Sequence, residues 1–376
     1  MSIFVGFLIG CLALIALITL VNVMTAPMIK NGPKPKDVRL VSVLIPARNE
    51  EANIGRALES LIRQSYQNLE ILVLDDHSQD NTAGIVRRFS TQDARIRLLS
   101  GAPLPDGWTG KNWACHQLSH AAGGDYLIFT DADNQYAPEA VEKTIGWMQR
   151  LSLSLFSAFP QQITVTFAEK LVIPVFDTFV YSLLPLWLTY YAKFPSMAAA
   201  NGQWLAFTRQ GYDQIGGHEA VKGHIVEDTE LARLAKRKGE KILTASGNRM
   251  VFGRMYSSWN EVYWGFSKNA FGLMGYKTIP FLLFSVLLFS IYILPFALLA
   301  VPSLRAEAVA MIGLAAAIRF LIAEHFGHPV WVSTLLNPLS IGAVLMIGFN
   351  SFRCYRRGAV SWKDRKVSFI KAETRS

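Results

Sequence analysis

Cysteine is scarce in this sequence, and what there is carries no chemistry. Cys11, Cys115 and Cys354 are odd in number, scattered, and lack disulfide or metal-ligand spacing. That fits a reducing compartment and gives no redox function. A G-x-S-x-G nucleophile elbow is missing, which disfavours a hydrolase triad. No G-x-G-x-x-G follows the first strand, which disfavours a nicotinamide cofactor. The Gly-Lys pair in Trp108-Thr-Gly-Lys-Asn-Trp113 is not a P-loop, because Pro105 stands where its first Gly belongs and Asn112 where its Ser or Thr belongs. His325 and His328 lack the cysteines or carboxylates of a zinc site and read as interfacial residues. No internal repeat or low-complexity segment is evident. Charge is also scarce, at 17% of residues against 51% hydrophobic, which is apolar for a soluble protein.

The apolar residues concentrate at the two ends. Ile3 to Met24 is an uncharged apolar run, and about 20 such residues in a helix cross a hydrocarbon core. It has no basic n-region and is too long for a signal peptide, so an uncleaved anchor is expected. Lys30, Lys34, Lys36 and Arg39 follow it and predict an outward N-terminus with a cytoplasmic domain. Three further apolar stretches are Ile279 to Val301, Ala306 to Ile322 and Val330 to Phe349. Four full crossings would leave the basic tail outside, against the charge rule, so the short, Arg319-bearing middle stretch is set aside as a crossing. Net charge is +9, with much of the excess beyond Arg353. Its juxtamembrane placement points to anionic lipid headgroups and away from nucleic acid.

Between the ends, strands and helices alternate. Strands are expected at Leu40–Ile45, Glu70–Leu74, Arg95–Leu99 and Asp125–Thr130, and helices at Glu51–Ser65 and Asn81–Phe89 with Asp80 as a candidate N-cap. This predicts an α/β domain with a mostly parallel, Rossmann-like sheet that binds its ligand beyond the C-terminal strand ends. Acidic motifs fall at those ends. Asp131-Ala-Asp133 can hold Mg²⁺ or Mn²⁺ against a diphosphate, or be a surface turn. Asp75-Asp76 can accept hydrogen bonds from a base or ribose, or merely precede a helix cap. Pro46-Ala-Arg-Asn-Glu50 sits at the first strand end. Lys111 can neutralise phosphate charge, and Arg254, beside aromatics, can face a leaving diphosphate or pack by cation–π contact. Glu227-Asp228 can supply a general base, or be the acid-rich start of a helix. Leu171 to Tyr191, with Pro174, Asp177 and Pro185, reads as an interfacial segment or a buried helical pair.

In this order, from roughly Val41 to Asn269, these motifs resemble the family 2 glycosyltransferases of the GT-A fold. Ser42-Val-Leu-Ile-Pro-Ala-Arg-Asn-Glu50 resembles their first strand and nucleotide-binding loop. Asp75-Asp-His-Ser78 resembles the D-D-x-S element, although the family usually has Gly where His77 stands. Asp131-Ala-Asp133 matches the metal-binding D-x-D, and Glu227-Asp228 the acidic pair whose Asp is the catalytic base. Gly107-Trp-Thr-Gly-Lys-Asn-Trp-Ala-Cys115, Arg254-Met-Tyr256, Gly265-Phe-Ser-Lys-Asn269 and Trp362-Lys-Asp-Arg365 resemble the hopanoid-associated and carotenoid-acid branch, which typically has Gly where Asp364 stands.

The resemblance implies an inverting, metal-dependent transfer of a sugar from a nucleotide-sugar to a membrane lipid acceptor. It makes Asp228 the base and Asp131 and Asp133 the metal ligands. Pro46, Ala47, Arg48, Glu50, Asp75, Asp76, Lys111, Asp131 and Arg254 become donor contacts, and Glu227, Trp204 and Trp259 lie on the acceptor side. The implied organisation is an anchor (1–24), a basic linker (25–38), a nucleotide-sugar half (39–140), an acceptor half (141–270) with an interfacial segment (171–192), membrane helices (278–350) and a basic tail (351–376). A processive polysaccharide synthase of the same fold is the rival enzyme, but residues 251–255 read Val-Phe-Gly-Arg-Met without the Q-x-x-R-W signature. A non-catalytic membrane-anchored binding protein is the other rival, and the full set of carboxylates argues against it.

Overall fold

A computed structural model describes residues 2–357, 361–362 and 365–366. Most of the basic tail, including Lys363 and Asp364, therefore lies outside the described residues. The chain divides into two compact units, one of Pro27–Ile163 and Leu186–Met255, the other of Met1–Ala26, Thr164–Pro185 and the described residues from Tyr256 onward.

The first unit is built on an eight-stranded sheet. Its strands are β1 (Val41–Ala47), β2 (Leu69–Asp75), β3 (Ile96–Ser100), β4 (Tyr126–Phe129), β5 (Asn134–Tyr136), β6 (Leu155–Gln162), β7 (Leu205–Thr208) and β8 (Ile242–Gly253), in the order β3-β2-β1-β4-β7-β6-β8-β5. The expected alternation is present, and β3, β2, β1 and β4 run parallel. Strands β7 and β5 run against their neighbours, which makes the sheet mixed. β1 and β4 are apolar almost throughout and buried on both faces, as central parallel strands require. Helix Ile54–Ile62 buries Ile54, Ala57, Leu58 and Leu61 as one stripe.

Of the expected linker, residues 27–38 are built into this unit. Ile29 is fully buried. Ser246 N donates to Pro27 O (2.7 Å), and Trp147 Nε1 donates to Met28 O (2.9 Å). The segment passes so close to helix Ala140–Leu151 that a Cβ on Gly146 would stand 1.8 Å from Pro33 O.

The second unit is helical. Two described helices are long and apolar enough to cross a membrane, Ile3–Thr25 and Pro302–Phe326, and the pair Trp259–Met274 and Thr278–Tyr292, bent by 112°, makes a third if it counts as one span. The middle C-terminal stretch, set aside above, is thus the one that lies in a single helix of spanning length. Its Arg319 is 1% exposed and hydrogen-bonded inside the unit, with Nε donating to Ser333 O (3.2 Å) and Nη1 to Pro174 O (2.7 Å) and to Thr178. An arginine turned inward and hydrogen-bonded through Nε and Nη1 does not bar a span.

The expected interfacial segment 171–192 also divides. Phe167–Leu183 is a helix with a Thr166–Glu169 capping box, and it places Leu171, Val172 and Val175 in the core of the helical unit. Leu188–Tyr191 is a separate turn of the sheet unit. Asp177 is buried, with Oδ2 2.7 Å from Nε2 of the equally buried His328, so neither is an interfacial residue.

Gly146→Ala is expected to destabilise the protein by about 1–3 kcal/mol, because Pro33 presents backbone at the new methyl. Thermal melting of the detergent-solubilised protein checks this, and an unchanged midpoint would mean that residues 27–38 are not seated on the helix.

Candidate functional site

The site lies along the C-terminal ends of β1, β2 and β4, and the loops that follow them are laced together. Ala47 lies beside Asp75 in the register of β1 and β2, and Asp76 N donates to Ala47 O (2.8 Å). Arg48 Nη1 donates to Asp76 O at 2.6 Å and stands 3.8 Å from the Asp76 carboxylate. Asn49 N donates to Ser78 Oγ (2.9 Å), Glu50 N to Thr82 Oγ1 (2.8 Å) and Glu51 N to Asp80 Oδ2 (3.0 Å). Asp80 also accepts from Thr82 N, so Ser78 and Asp80 tie loops and leave Asp75 and Asp76 for other work. Asp75 Oδ1 is buried without a hydrogen-bond partner among the described residues. His77 adopts φ 56°, the left-handed conformation that glycine takes most easily, which explains how the chain turns there without one.

β4 leads into Asp131-Ala132-Asp133, and the turn is pinned from behind. Thr130 Oγ1 donates to Gln203 O (2.6 Å), Asn134 Nδ2 to Gln203 O (2.8 Å), and Gln203 Nε2 to Asn134 Oδ1 (3.1 Å). The neighbouring Gly202 N donates to Asp228 Oδ2 (2.8 Å), while Thr229 N donates to Asp228 Oδ1 (2.6 Å). The Asn201–Gln203 loop therefore joins the D-x-D turn to the acidic pair.

The second link is helix Gly110–Ala121, which Thr109 caps through Asn112 N. Asn112, fully buried, donates through Nδ2 to Val221 O (2.9 Å), Lys222 O (3.1 Å) and His224 O (2.9 Å). It fixes the loop that delivers Glu227 and Asp228 to the start of helix Glu227–Arg237. One residue earlier, Lys111 Nζ lies 2.8 Å from Asp131 Oδ1 and 3.2 Å from Glu227 Oε1.

Electrostatics follow from this crowding. Burial alone would lower the Lys111 ammonium pKa, but Asp131 and Glu227 outweigh it and hold it well above its usual range. Burial raises the Glu227 carboxyl to about 7 even against Lys111. Asp228 is also raised by burial, against Lys111 and its backbone donors. Burial, with Asp131 and Glu50 nearby, pushes Asp133 up to about 7. Asp133 Oδ1 is buried with no hydrogen-bond partner among the described residues, so the turn is short of positive charge. Two hard oxygen donors in that state fit a divalent cation. Among the described residues, no group of three or more His, Cys, Asp or Glu is placed to hold a metal, so such an ion would need other oxygens from donor or water.

Pro46 and Ala47 (within β1), Arg48, Glu50, Asp75, Asp76, Lys111, Asp131, Asp133, Glu227 and Asp228 thus share one edge of the sheet. Arg254 follows Gly253, which pairs with Asn134 in the sheet, so it stands one position on from the register of the D-x-D turn. The indole of Trp204 is 0% exposed, packs in the core with Tyr136 and donates to Thr144 Oγ1 (3.0 Å). It has no face for an acceptor, which corrects its placement there. Trp259 is 41% exposed and belongs to the helical unit. Sequence reasoning missed Asn112, Asn134, Gly202 and Gln203 as parts of the site, because each acts through a hydrogen bond to a residue distant in the chain.

Residues 42–179 match the family described as glycosyl transferase family 2. The 4,4'-diaponeurosporenoate glycosyltransferase of Staphylococcus haemolyticus is 29% identical over 228 residues, covering 58% of this chain and 57% of that protein. The protein of the same name from Staphylococcus aureus is 29% identical over 226 residues, with the same coverage of each. The chain therefore spans little more than half the length of these curated relatives. Among solved structures, the mannosyltransferase PcManGT of Pyrobaculum calidifontis, in complex with GDP-Man and Mn2+, has a TM-score of 0.59 at 17% identity, covering 93% of this chain and 97% of that one.

Trp204→Phe is expected to cost about 1–3 kcal/mol by leaving Thr144 without its donor in the core. The readout is the melting temperature, and an unchanged value would return the indole to the surface. The ordered motifs agree with the match of residues 42–179 to glycosyl transferase family 2, and the sheet has the GT-A fold.

Proposed function

We propose that this protein is an inverting glycosyltransferase that moves a sugar from a nucleoside-diphosphate sugar to a lipid acceptor at the cytoplasmic face of a membrane. The observation that carries this reading is the Lys111 bridge, which sets the D-x-D turn and the Glu227-Asp228 pair on either side of one ammonium group. A donor diphosphate and an acceptor hydroxyl need those two functions side by side. The polyisoprenoid, hopanoid or carotenoid-like nature of the acceptor rests on sequence resemblance and on the names of the Staphylococcus relatives. Membrane attachment is supported by the two helices of spanning length and composition, and the cytoplasmic face by the basic residues after the first.

Within this reading, Asp75 and Asp76 accept hydrogen bonds from the nucleoside, and the unpartnered Asp75 oxygen is the more available acceptor. Arg48 holds the Asp76 loop, and Arg254 approaches the diphosphate. Mg²⁺ or Mn²⁺ on Asp131 and Asp133 would offset the charge of the departing diphosphate. Asp228 takes the acceptor proton. Glu227 is the worse candidate for that role, being 7% exposed and ion-paired to Lys111, whereas Asp228 is partly exposed and oriented by the Gly202 and Thr229 amides. Attack at the anomeric carbon as the diphosphate leaves is one displacement and inverts that centre.

The test is a transfer assay in detergent with a panel of nucleotide-sugars, Mg²⁺ or Mn²⁺ and a lipid extract. Asp228→Asn should lower kcat by about 10²–10⁴-fold with donor Kd unchanged. Wild-type turnover in the mutant would remove Asp228 as base. The base acts deprotonated and its pKa is raised, so kcat/KM should fall as pH drops through a value above the ordinary 3.8. A pH–rate profile with its acid limb at or below that value would contradict the assignment. No labelled lipid across the panel, with no donor bound, would favour a binding protein instead.

A further inference from the structure

Lys111 does more than add charge for a phosphate. We infer that Lys111 is a built-in counter-ion that occupies the cation's place at Asp131 while no donor is bound, and moves to the diphosphate when cation and donor arrive together. This rests on the reading of Asp131 and Asp133 as the cation site.

Geometry carries the argument. Half of the D-x-D turn is filled, since Lys111 Nζ lies 2.8 Å from Asp131 Oδ1, while the other half is open, since Asp133 Oδ1 is buried with no partner among the described residues. A divalent ion and an ammonium cannot both sit against one Asp131 oxygen without strong repulsion. The lysine has a second anchor, with Glu227 Oε1 3.2 Å away, so it can leave Asp131 without losing every partner. Its tip lies against bare backbone, because a Cβ on Gly202 would stand 3.1 Å from Nζ and 3.3 Å from Glu227 Oε1. A flexible four-carbon stem with a point charge suits such a short transfer, which a planar guanidinium in a fixed fork would not make as readily. The consequence is that a bare cation must displace Lys111 with nothing to receive it, whereas a cation arriving with a diphosphate supplies the lysine's new partner. Cation and donor therefore bind with positive coupling, and each strengthens the other by the same factor.

The experiment measures Mn²⁺ binding by the loss of its free-ion electron paramagnetic resonance signal, on full-length protein in detergent, alone and with GDP or UDP. Lys111→Met should bind Mn²⁺ alone roughly tenfold or more tighter than wild type, the effect of removing one contacting positive charge, and should lose most of the tightening that nucleotide gives. Lys111→Arg should keep Mn²⁺ alone as weak as in wild type. Lys111→Gln repeats the comparison should the Met variant fail to fold, as judged by melting. A folded neutral variant that binds Mn²⁺ alone no tighter than wild type overturns the inference. Wild-type protein that binds no Mn²⁺ even with either nucleotide, or Asp131→Asn that binds it unchanged, overturns the cation site itself, a separate result that takes the inference with it.

Discussion

Seven carboxylates share one edge of the sheet, and the structure depends on how the mutual repulsion of five of them is met. Glu50, Asp131, Asp133, Glu227 and Asp228 come from three separate stretches of chain, and burial adds to the cost of keeping Asp133, Glu227 and Asp228 charged. One ammonium, that of Lys111, is shared between Asp131 and Glu227. Two backbone amides, those of Gly202 and Thr229, serve Asp228. Asp133 Oδ1 has no hydrogen-bond partner among the described residues, and burial, with Asp131 and Glu50 nearby, pushes this carboxyl up to about 7 even against Lys111. The distribution is uneven in a useful way. The acid proposed as base is oriented by fixed dipoles, the acid beside it is tied to lysine, and the one left short of positive charge is the one proposed to meet a cation.

Compensation of that kind works only if the loops are held to a few tenths of an ångström, and neutral amide side chains do the holding. Asn112 ties the 221–224 loop to the first turn of the helix that carries Lys111, so a lysine and the acid it meets are set by one rigid turn. Gln203 and Asn134 exchange hydrogen bonds behind the D-x-D turn, and the adjacent Gly202 reaches the acidic pair. Amides suit this task because they offer donors and an acceptor without adding charge to a crowded field. Buried and hydrogen-bonded across loops, they specify one geometry where a charged residue would carry a desolvation cost of its own.

Much of the sheet unit was legible in the sequence. The strand and helix alternation from β1 to β4 shows in apolar runs that end at Pro46, Asp75 and Asp131, and those ends are where the structure puts the site. What the sequence hid is of two kinds. Long-range hydrogen bonds leave no periodic signal, so Asn112 argued against a P-loop but gave no hint that it reaches Val221, and Gln203 was invisible beside the conspicuous Trp204. Aromatic character also misled, because a tryptophan reads the same on a surface as in a core, and only the Thr144 hydroxyl tells that Trp204 is inside. In the segment 25–38, Gly and Pro signal an irregular backbone and say nothing of whether it is packed.

The helical unit shows why counting charges along a stretch is a poor guide to whether it can span a membrane. Arg319 made its stretch look unfit, yet the side chain is turned into the bundle and donates from Nε to the Ser333 carbonyl and from Nη1 to the Pro174 carbonyl and the Thr178 hydroxyl. Asp177 made residues 171–192 look interfacial, yet it faces His328 at 2.7 Å. Each polar residue read singly argues for water, and the two sets together argue for a packed interior, because a polar group loses little on burial when its partner is already in place. That partner lies about 140–150 residues away in the chain for Arg319 with Thr178 and for Asp177 with His328. A hydropathy window spans about 19 residues and cannot contain both members of either pair. The relevant variable is the residue on the neighbouring helix, and only the three-dimensional arrangement supplies it.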